Sequence, residues 1–289
     1  MKRCLRCGAI RPSDVDVCTA CHDSPRMLGR FLAFAPELAA SAPGFRPEHF
    51  AQLAELEAGN FWFRARNELI VDALRAYFPS MGAMLEVGCG TGFVLKGIRA
   101  SFPHTALTGS EIYTEGLEFA QQRVPDAVLL QMDARHIPYQ DEFDVVGAFD
   151  VVEHISEDEL VLSEMHRAVR PDGGILITVP QHPSLWSVQD EIACHVRRYR
   201  RGELEDKLRR AGFRIIMSTS FVSLLLPLLA AARLRKKSHA PNHDPASELK
   251  LPRPVDALLY SVLRLERAAI SAGVRFPVGG TRLVAATKS

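Results

Sequence analysis

Residues 85–92 of this 289-residue chain are Leu-Glu-Val-Gly-Cys-Gly-Thr-Gly, an apolar run that ends in three alternating glycines. A glycine-rich turn after a buried strand lets the backbone approach a ligand, and the first N–H groups of the following helix are free to bind it. The glycines are Gly88, Gly90 and Gly92, and Phe93 follows them. A dinucleotide-binding turn has the spacing Gly-x-Gly-x-x-Gly, so this turn argues against NAD or FAD and for a ligand without a pyrophosphate.

Apolar runs typical of strands alternate with helical stretches around this turn. Strands are expected at 84–87, 106–110, 127–131, 143–149, 174–179, 213–218 and 282–287, and helices at 66–78, 93–101, 114–123, 157–169 and 202–211. Such alternation indicates parallel strands joined by right-handed crossovers. The expected fold class is therefore α/β, with a doubly wound, seven-stranded Rossmann-like sheet.

Two acidic residues follow the strands beside the glycine turn. Glu111 comes 19 residues after Gly92 and ends the second strand, where a carboxylate can accept hydrogen bonds from both hydroxyls of a ribose. Asp133 follows the third strand and is placed to accept from an adenine amino group. Each acid also has a local alternative, Glu111 as a helix-entry acid and Asp133 as an N-cap. The three features in this order favour a ligand that contains adenosine.

These segments resemble the class I S-adenosylmethionine (SAM)-dependent methyltransferases, and among them the ubiquinone-type O-methyltransferase group. The matching pieces are residues 85–92, Glu111, Asp133-Ala134, 143–154, 171–174 and 197–213, within a similarity that covers 61–220 and extends through 287. The resemblance implies the strand order 3-2-1-4-5-7-6, with the last strand antiparallel.

The same resemblance implies which residues bind SAM. They are Arg66, Glu86, Gly88, Gly90, Gly92, Glu111, Asp133, Ala134 and Phe149. Arg66 would hold the methionine carboxylate, with Arg64 as the alternative, and Phe149 would line the pocket.

Candidate catalytic residues leave the fourth strand in the segment 150–154, because ligands in such sheets bind beyond the carboxyl ends of the strands. Methyl transfer to a hydroxyl requires removal of its proton, for which His154 is the first candidate base and His195 the second. By resemblance, Asp150, Glu153, His154 and His195 repeat a set with which some relatives hold Mg²⁺ or a similar ion. Such an ion would lower the pKa of the hydroxyl and fix its oxygen. The alternatives are a metal-free role for His154 as a base or substrate contact, and a structural histidine.

Four of the six cysteines lie in the first 21 residues, as the pairs Cys4-x-x-Cys7 and Cys18-x-x-Cys21. Each pair supplies two thiolates to a tetrahedral ion, and so short a module has no core without one. The spacing predicts a structural zinc ribbon over residues 1–27, with a redox pair or free thiols as the alternatives. Such cysteine usage suits a reducing compartment, and no apolar segment of a secretory signal follows Met1. We therefore expect a cytoplasmic protein.

Residues 28–60 are expected to be a linker with an entry helix, and 61–289 the methyltransferase domain, with an insert at about 222–280 that contains a helix near 255–272. The apolar run in 221–237 ends in basic residues. It is too short to span a bilayer, which needs roughly 20 residues. It is interpreted either as a peripheral contact with an anionic membrane or as a lid or dimer contact.

Charge is distributed unevenly along the chain. From Cys194 onward there are 19 Lys and Arg against 7 Asp and Glu, although the net charge of the whole chain is only +1. A basic C-terminal third can face a phosphate, a carboxylate or a membrane, or it can be an ordinary solvated surface. Arg197 and Arg198 have the same two interpretations, an anionic substrate contact or exposed arginines beside a helix. Trp186 is either a wall for an apolar substrate or a core residue.

The leading hypothesis for function is methyl transfer to a small-molecule acceptor, most simply a hydroxyl oxygen. RNA methylation is the second hypothesis, suggested by the zinc ribbon and the basic C-terminal third. Against it, aromatic residues are rarely interleaved with basic ones, as stacking on bases would require. A non-catalytic SAM-binding scaffold protein is the third.

Overall fold

A mixed sheet with helices on both faces forms the body of the protein in the computed structural model, which describes residues 1–39, 49–235 and 251–289. Its strands are β1 Lys2–Arg3, β2 Ile10–Arg11, β3 Arg26–Leu28, β4 Phe31–Ala33, β5 Ala83–Val87, β6 Ala106–Glu111, β7 Val128–Gln131, β8 Phe143–Phe149, β9 Val169–Pro180, β10 Phe213–Phe221 and β11 Thr281–Lys288. Its helices are α1 His49–Leu56, α2 Phe61–Tyr77, α3 Phe93–Ser101, α4 Thr114–Arg123, α5 Asp158–Ala168, α6 Val188–Ile192, α7 Glu203–Arg210, α8 Leu226–Arg235 and α9 Arg253–Ser271.

The main sheet has the order β10-β11-β9-β8-β5-β6-β7-β4-β3. Counted from β5, the seven strands β5 to β11 have the expected order 3-2-1-4-5-7-6, and β11 runs antiparallel to both of its neighbours. The strand order and the direction of the last strand are confirmed.

The seven-strand count is wrong, because a hairpin adds β4 and β3 beyond β7 and makes nine strands. Leu32 and Ala33 pair in parallel with Leu130 and Gln131. Each added strand has three residues, too few to give a detectable alternation of apolar and polar positions. The hairpin lies in the segments expected to end the ribbon and begin the linker.

The strands beside the glycine turn are apolar on both faces because helices cover both faces. Along β8, Val145 joins the core under α2, α3 and α9, and Val146 joins the core under α5 and α7. Asn60 starts α2 earlier than residue 66, the expected start. Its side-chain oxygen accepts from the backbone N–H of Trp62 at 2.9 Å, as an N-cap does.

The N-terminal module docks on the segment that leads into β8. The N–H of Arg3 donates to the carbonyl of Pro138 at 2.9 Å, and the hydroxyl of Ser13 donates to the carboxylate of Glu142 at 2.6 Å. Glu142 directly precedes β8, whereas Asp150 directly follows it. A seven-residue strand is about 20 Å long, so the module and the glycine turn lie at opposite edges of the sheet.

Only part of the insert falls within the described residues. α8 and α9 are described, while 236–250 lie outside, together with the end of the 221–237 segment and the side chains of 232–235. Among the helices that the structure describes, none has the length and apolar character needed to cross a bilayer.

Candidate functional site

The glycine turn between β5 and α3 has a backbone that only glycine adopts readily. Gly88, Gly90 and Gly92 have φ values of 67°, 51° and 73°. A Cβ atom on Gly92 would lie 2.8 Å from the Cα atom of Ala120, which is helical backbone and cannot move aside. The absence of a side chain at Gly92 therefore lets α3 and α4 approach each other closely.

Glu111, at the end of β6, faces this turn from the neighbouring strand. Its carboxylate accepts from the backbone N–H of Gly90 at 3.1 Å and from that of Ile112 at 2.8 Å. Burial raises the pKa of Glu111, and these N–H donors oppose that rise. The acid is thus fixed beside the turn, as expected from the sequence.

Arg66 on α2 reaches the end of β8. Its guanidinium donates to the carbonyl of Phe149 at 2.6 Å, and its Nε lies 2.5 Å from Oδ2 of Asp150. Glu86 is buried nearby, and burial raises its pKa well above the ordinary value while Arg66 opposes that rise. The ring of Phe149 packs against Gly147 in the core, so Phe149 meets Arg66 through its carbonyl.

Asp133 and Ala134 lie beyond β7 as expected, but the Asp133 carboxylate is occupied. It accepts from the backbone N–H of Arg135 at 2.9 Å and from the Arg135 side chain at 3.0 Å. The Arg135 hydrogen bonds and charge hold the pKa of Asp133 below its usual value against the effect of burial. An adenine contact by Asp133 stays a prediction.

Helix α1 covers the glycine turn, which the sequence did not predict. The ring of Phe50 comes within 3.8 Å of where a Cβ atom of Gly90 would be. Glu57 accepts from the hydroxyl of Thr91 at 2.8 Å and from Arg123 at 2.6 Å. All of these contacts join segments far apart in sequence, and no local pattern signals them.

Past β8, a single turn of 3₁₀-helix at Val152–His154 brings Glu153 and His154 toward His195. Their ligand atoms lie within 4.8 Å of one another, and the two imidazole rings meet edge to face with centroids 4.7 Å apart. The Glu153 side chain is fully buried, and neither of its oxygens has a hydrogen-bond donor among the described residues. The candidate catalytic residues therefore form one cluster at the carboxyl edge of the sheet.

Asp150, the fourth residue of the expected metal set, lies outside this cluster. Its carboxylate forms the ion pair with Arg66 instead. The sequence placed Asp150 and Glu153 on one short segment, but only the fold shows that a cation from α2 reaches Asp150.

Burial sets the protonation of the cluster. It lowers the pKa of His154 to about 4, an effect to which the neighbouring His195 adds. It raises the pKa of Glu153 well above the ordinary value, and the charge of Asp150 adds to the rise. His154 is therefore neutral at pH 7 and can act as a hydrogen-bond acceptor or a ligand.

Asp190 on α6 orients His195 and was missed by the sequence analysis. Nδ1 of His195 lies 2.9 Å from Oδ1 of Asp190, and Nε2 lies 3.9 Å from Oε1 of Glu153. The side chain of Asp190 also accepts from Nε of Arg198 at 2.7 Å. Because α6 has only five residues, it gives no periodic signal in the sequence.

The four N-terminal cysteines also come together, with sulfur atoms within 4.8 Å of one another. The Cys4–Cys21 and Cys7–Cys18 sulfur separations are both 3.6 Å. The two pairs lie in separate tight turns of the same kind. The N–H of Gly8 donates to the carbonyl of Cys4 at 2.9 Å, and the N–H of His22 donates to the carbonyl of Cys18 at 2.9 Å.

Comparison with known proteins agrees with this geometry. A family model described as a methyltransferase domain matches residues 85–177. The phosphatidylethanolamine N-methyltransferase of Cereibacter sphaeroides is 39% identical over 104 residues, 33% of this chain and 49% of that protein. A probable SAM-dependent methyltransferase of Mycolicibacterium smegmatis is 28% identical over 54% of this chain and 60% of that protein. The chain thus matches about half the length of these relatives.

Solved structures share the fold. A chain from the complex of the Haloferax volcanii Trm112 methyltransferase activator with a methyltransferase has a TM-score of 0.56 and 17% identity, over 84% of this chain and 96% of that one. Haemonchus contortus phosphoethanolamine N-methyltransferase 2, in complex with S-adenosyl-L-methionine, also has a TM-score of 0.56, with 20% identity over 84% of this chain and 57% of that one. Residues 85–177 therefore match a methyltransferase-domain family, and the chain shares the fold of these solved methyltransferase structures.

Proposed function

We propose that this protein transfers the methyl group of SAM to a hydroxyl oxygen of a small-molecule acceptor. The observation that carries the choice of oxygen is the pair of His195 and Asp190 beside Glu153 and His154, at the strand end next to the glycine turn. A neutral amine has a lone pair ready to attack a methyl group, whereas a hydroxyl must lose a proton. An oriented imidazole at this position suits the hydroxyl.

SAM would lie across the glycine turn under α1. Glu111 would accept from the ribose hydroxyls, and Arg66 would face the methionine carboxylate at the end of β8. Arg66 is already ion-paired with Asp150, so a carboxylate arriving there would share or replace that partner. Arg64, the alternative, is ion-paired with Asp256 of α9.

In the proposed mechanism His195 is the base. Its Nδ1–H donates a hydrogen bond to Asp190, so the lone pair of Nε2 faces the cluster and can accept the hydroxyl proton. Asp190 then stabilises the imidazolium. General-base catalysis contributes typically about 10²–10⁴ in rate, and in-line positioning of the oxygen against the methyl group about 7–11 kcal/mol. His154, whose low pKa makes it a weak base, would accept a hydrogen bond from the acceptor.

A metal-assisted variant of this mechanism is the second candidate. The ligand atoms of Glu153, His154 and His195 lie within 4.8 Å of one another. Both oxygens of Glu153 and Nδ1 of His154 have no hydrogen-bond partner among the described residues. Asp190 contacts Nδ1 of His195, as carboxylates do behind metal-binding histidines. Two imidazoles and one carboxylate suit Mn²⁺, Fe²⁺ or Zn²⁺ better than Mg²⁺, which prefers oxygen ligands. A bound ion would act as a Lewis acid toward the acceptor oxygen. In this variant Asp150 has no part.

The N-terminal module is proposed to hold one structural Zn²⁺. Four sulfurs around zinc at about 2.3 Å lie about 3.8 Å apart in a tetrahedron, close to the separations of 3.6 Å in the cysteine cluster. Backbone N–H groups of Cys21 and Ala20 lower the pKa of Cys18 to about 6, which favours a thiolate. Because four thiolates leave no open position, the ion would stabilise the module and take no part in catalysis.

The cofactor part of the proposal is tested by calorimetric titration with S-adenosylhomocysteine. Saturable 1:1 binding supports it. A protein that is folded by circular dichroism but binds neither S-adenosylhomocysteine nor SAM would overturn it. The metal variant is tested by chelator, because turnover that persists after exhaustive chelation would exclude it.

A further inference from the structure

A cleft is lined in part by Val196, Arg197 and Arg198, the three residues that directly follow His195 of the catalytic cluster. Its volume is about 650 Å³, within the range of sites for small organic ligands. Its walls are unusually basic, with five arginines and two carboxylates, and the remaining lining is apolar. The lining residues are Pro183, Trp186, Val196, Arg197, Arg198, Arg200, Arg201, Glu203, Asp206 and Arg210.

The fold holds this cleft close to the candidate base. The N–H of Tyr199 donates to the carbonyl of Pro180, and its carbonyl accepts from the N–H of His182, both at 2.9 Å. These bonds fix the arginine-rich segment on the end of β9. Arg198 is three residues from His195, so the Cα atoms of these two residues are at most about 10 Å apart. A small acceptor could therefore occupy the cleft and the cluster together.

Most charges in the cleft already have partners. Arg197, Arg198 and Arg210 pair with Asp158, Asp190 and Glu159, which do not line the cleft. The two lining carboxylates are paired with cations outside it, Glu203 with Lys207 and Asp206 with Arg209.

Arg200 and Arg201 are the exceptions. Both side chains are exposed, and neither guanidinium has a carboxylate partner in the part of the chain that the structure describes. Arg200 and Arg201 are consecutive in the chain and line the same cleft, so their guanidiniums could bind one phosphate together, since arginine binds phosphate bidentately. Trp186, 39% exposed, and Val196, 49% exposed, add an apolar wall to the same cleft.

We propose that this cleft binds a phosphate group of the methyl acceptor through Arg200 and Arg201, with the apolar part of the acceptor against Trp186. The acceptor class is thus a phosphorylated, partly apolar small molecule. This inference rests on the proposed function, since it extends the same acceptor site.

The test uses phenyl phosphate as the probe, measured by calorimetry and by tryptophan fluorescence. The chain has two tryptophans, and only Trp186 lines the cleft. Phenyl phosphate should bind and change the fluorescence. Trp186→Phe should abolish that change, while calorimetry still detects binding. A fluorescence change that survives Trp186→Phe would place the ligand near Trp62 and overturn the assignment.

Two double variants measure the role of the arginines. Arg200→Ala with Arg201→Ala should weaken phenyl phosphate binding at least about tenfold, since a hydrogen bond to a charged group contributes about 1.5–3 kcal/mol. Arg30→Ala with Arg214→Ala removes the same charge from two exposed arginines outside the cleft and should leave binding unchanged. An equal loss of phenyl phosphate affinity in both double variants would show that only net charge matters, and it would overturn the proposal.

Further experiments identify the source of the phosphate and test the cleft independently of the proposed function. Phosphatidylglycerol vesicles that compete with phenyl phosphate, where phosphatidylcholine vesicles do not, would assign the phosphate to a lipid headgroup and support the site. A single-stranded RNA that displaces phenyl phosphate with steep salt dependence would overturn a small acceptor. S-adenosylhomocysteine titration of the same samples keeps the proposals distinct. If the protein binds phenyl phosphate but not S-adenosylhomocysteine, the proposed cleft stands and the proposed function is overturned. If it binds S-adenosylhomocysteine but not phenyl phosphate, only the proposed cleft is overturned.

Discussion

Nδ1 of His195 lies 2.9 Å from Oδ1 of Asp190, and the backbone N–H of His195 donates to the Asp190 carbonyl at 2.8 Å. The same carboxylate accepts from Arg198, which lines the basic cleft. One buried acid therefore fixes the candidate base and joins it to the proposed acceptor site.

Replacement of the base tests the proposed chemistry. His195→Gln should lower kcat for methyl transfer by about 10²–10⁴, because a general base contributes that much. Asp190→Asn should also lower kcat, since an amide no longer fixes the proton on Nδ1. Both variants should bind S-adenosylhomocysteine as the wild type does. Glu118→Gln, at an exposed position on α4, is the control, and an equal kcat loss in it would contradict the assignment.

The role of Glu111 is tested by cofactor binding. Gly90 and Ile112 donate to different oxygens of Glu111, so Glu111→Gln keeps one of these two hydrogen bonds and removes the charge that would face the ribose. The Kd for S-adenosylhomocysteine should rise about 10- to 100-fold, the equivalent of one hydrogen bond to a charged group. Glu115→Gln, at an exposed position on α4, should leave the Kd unchanged. Unaltered affinity in Glu111→Gln would rule out the ribose contact.

The half-buried His154, whose pKa is lowered by desolvation, predicts a pH dependence of stability. Its pKa is about 4 in the folded protein, below the 6.5 of an exposed histidine, so between these values only the unfolded chain binds the proton. The free energy of unfolding should therefore fall as the pH drops from about 6.5 to 4, by up to about 3 kcal/mol from this group. The raised pKa of Glu153 has the opposite effect on stability as the pH falls, and this effect is present in both the wild type and a His154 variant.

Urea unfolding of the wild type and His154→Gln at pH 7 and pH 5 measures the His154 contribution by difference. The variant should lose less stability on acidification. Parallel losses in the two proteins would show that His154 does not carry the effect.

The cysteine cluster predicts one zinc ion per chain by elemental analysis. Cys18→Ser should reduce the zinc content and loosen the module. The Kd for S-adenosylhomocysteine should not change, because the module docks about 20 Å from the glycine turn. Cys194→Ser, outside the cluster, should retain the zinc. Loss of cofactor affinity in Cys18→Ser alone would mean that the module supports the cofactor site.

Local patterns in the sequence predict the glycine turn, the position of Glu111 and the seven strands from β5 to β11, and the family resemblance implies the order of these strands. They succeed because buried parallel strands have long apolar runs and because glycine adopts the positive φ values of the turn most readily. They fail where an element is too short to have a period, as for the β3–β4 hairpin and for α6, which carries Asp190. They also fail where a contact joins distant segments, as for the ion pair of Arg66 with Asp150.

The most direct test of the central claim is incubation of the protein with methyl-labelled SAM and fractionated cell extract. We predict that the label moves to a small-molecule fraction, that the product contains a methyl ether, and that His195→Gln slows the transfer at least about 100-fold. Label in RNA, or transfer that proceeds equally in His195→Gln, would contradict this account.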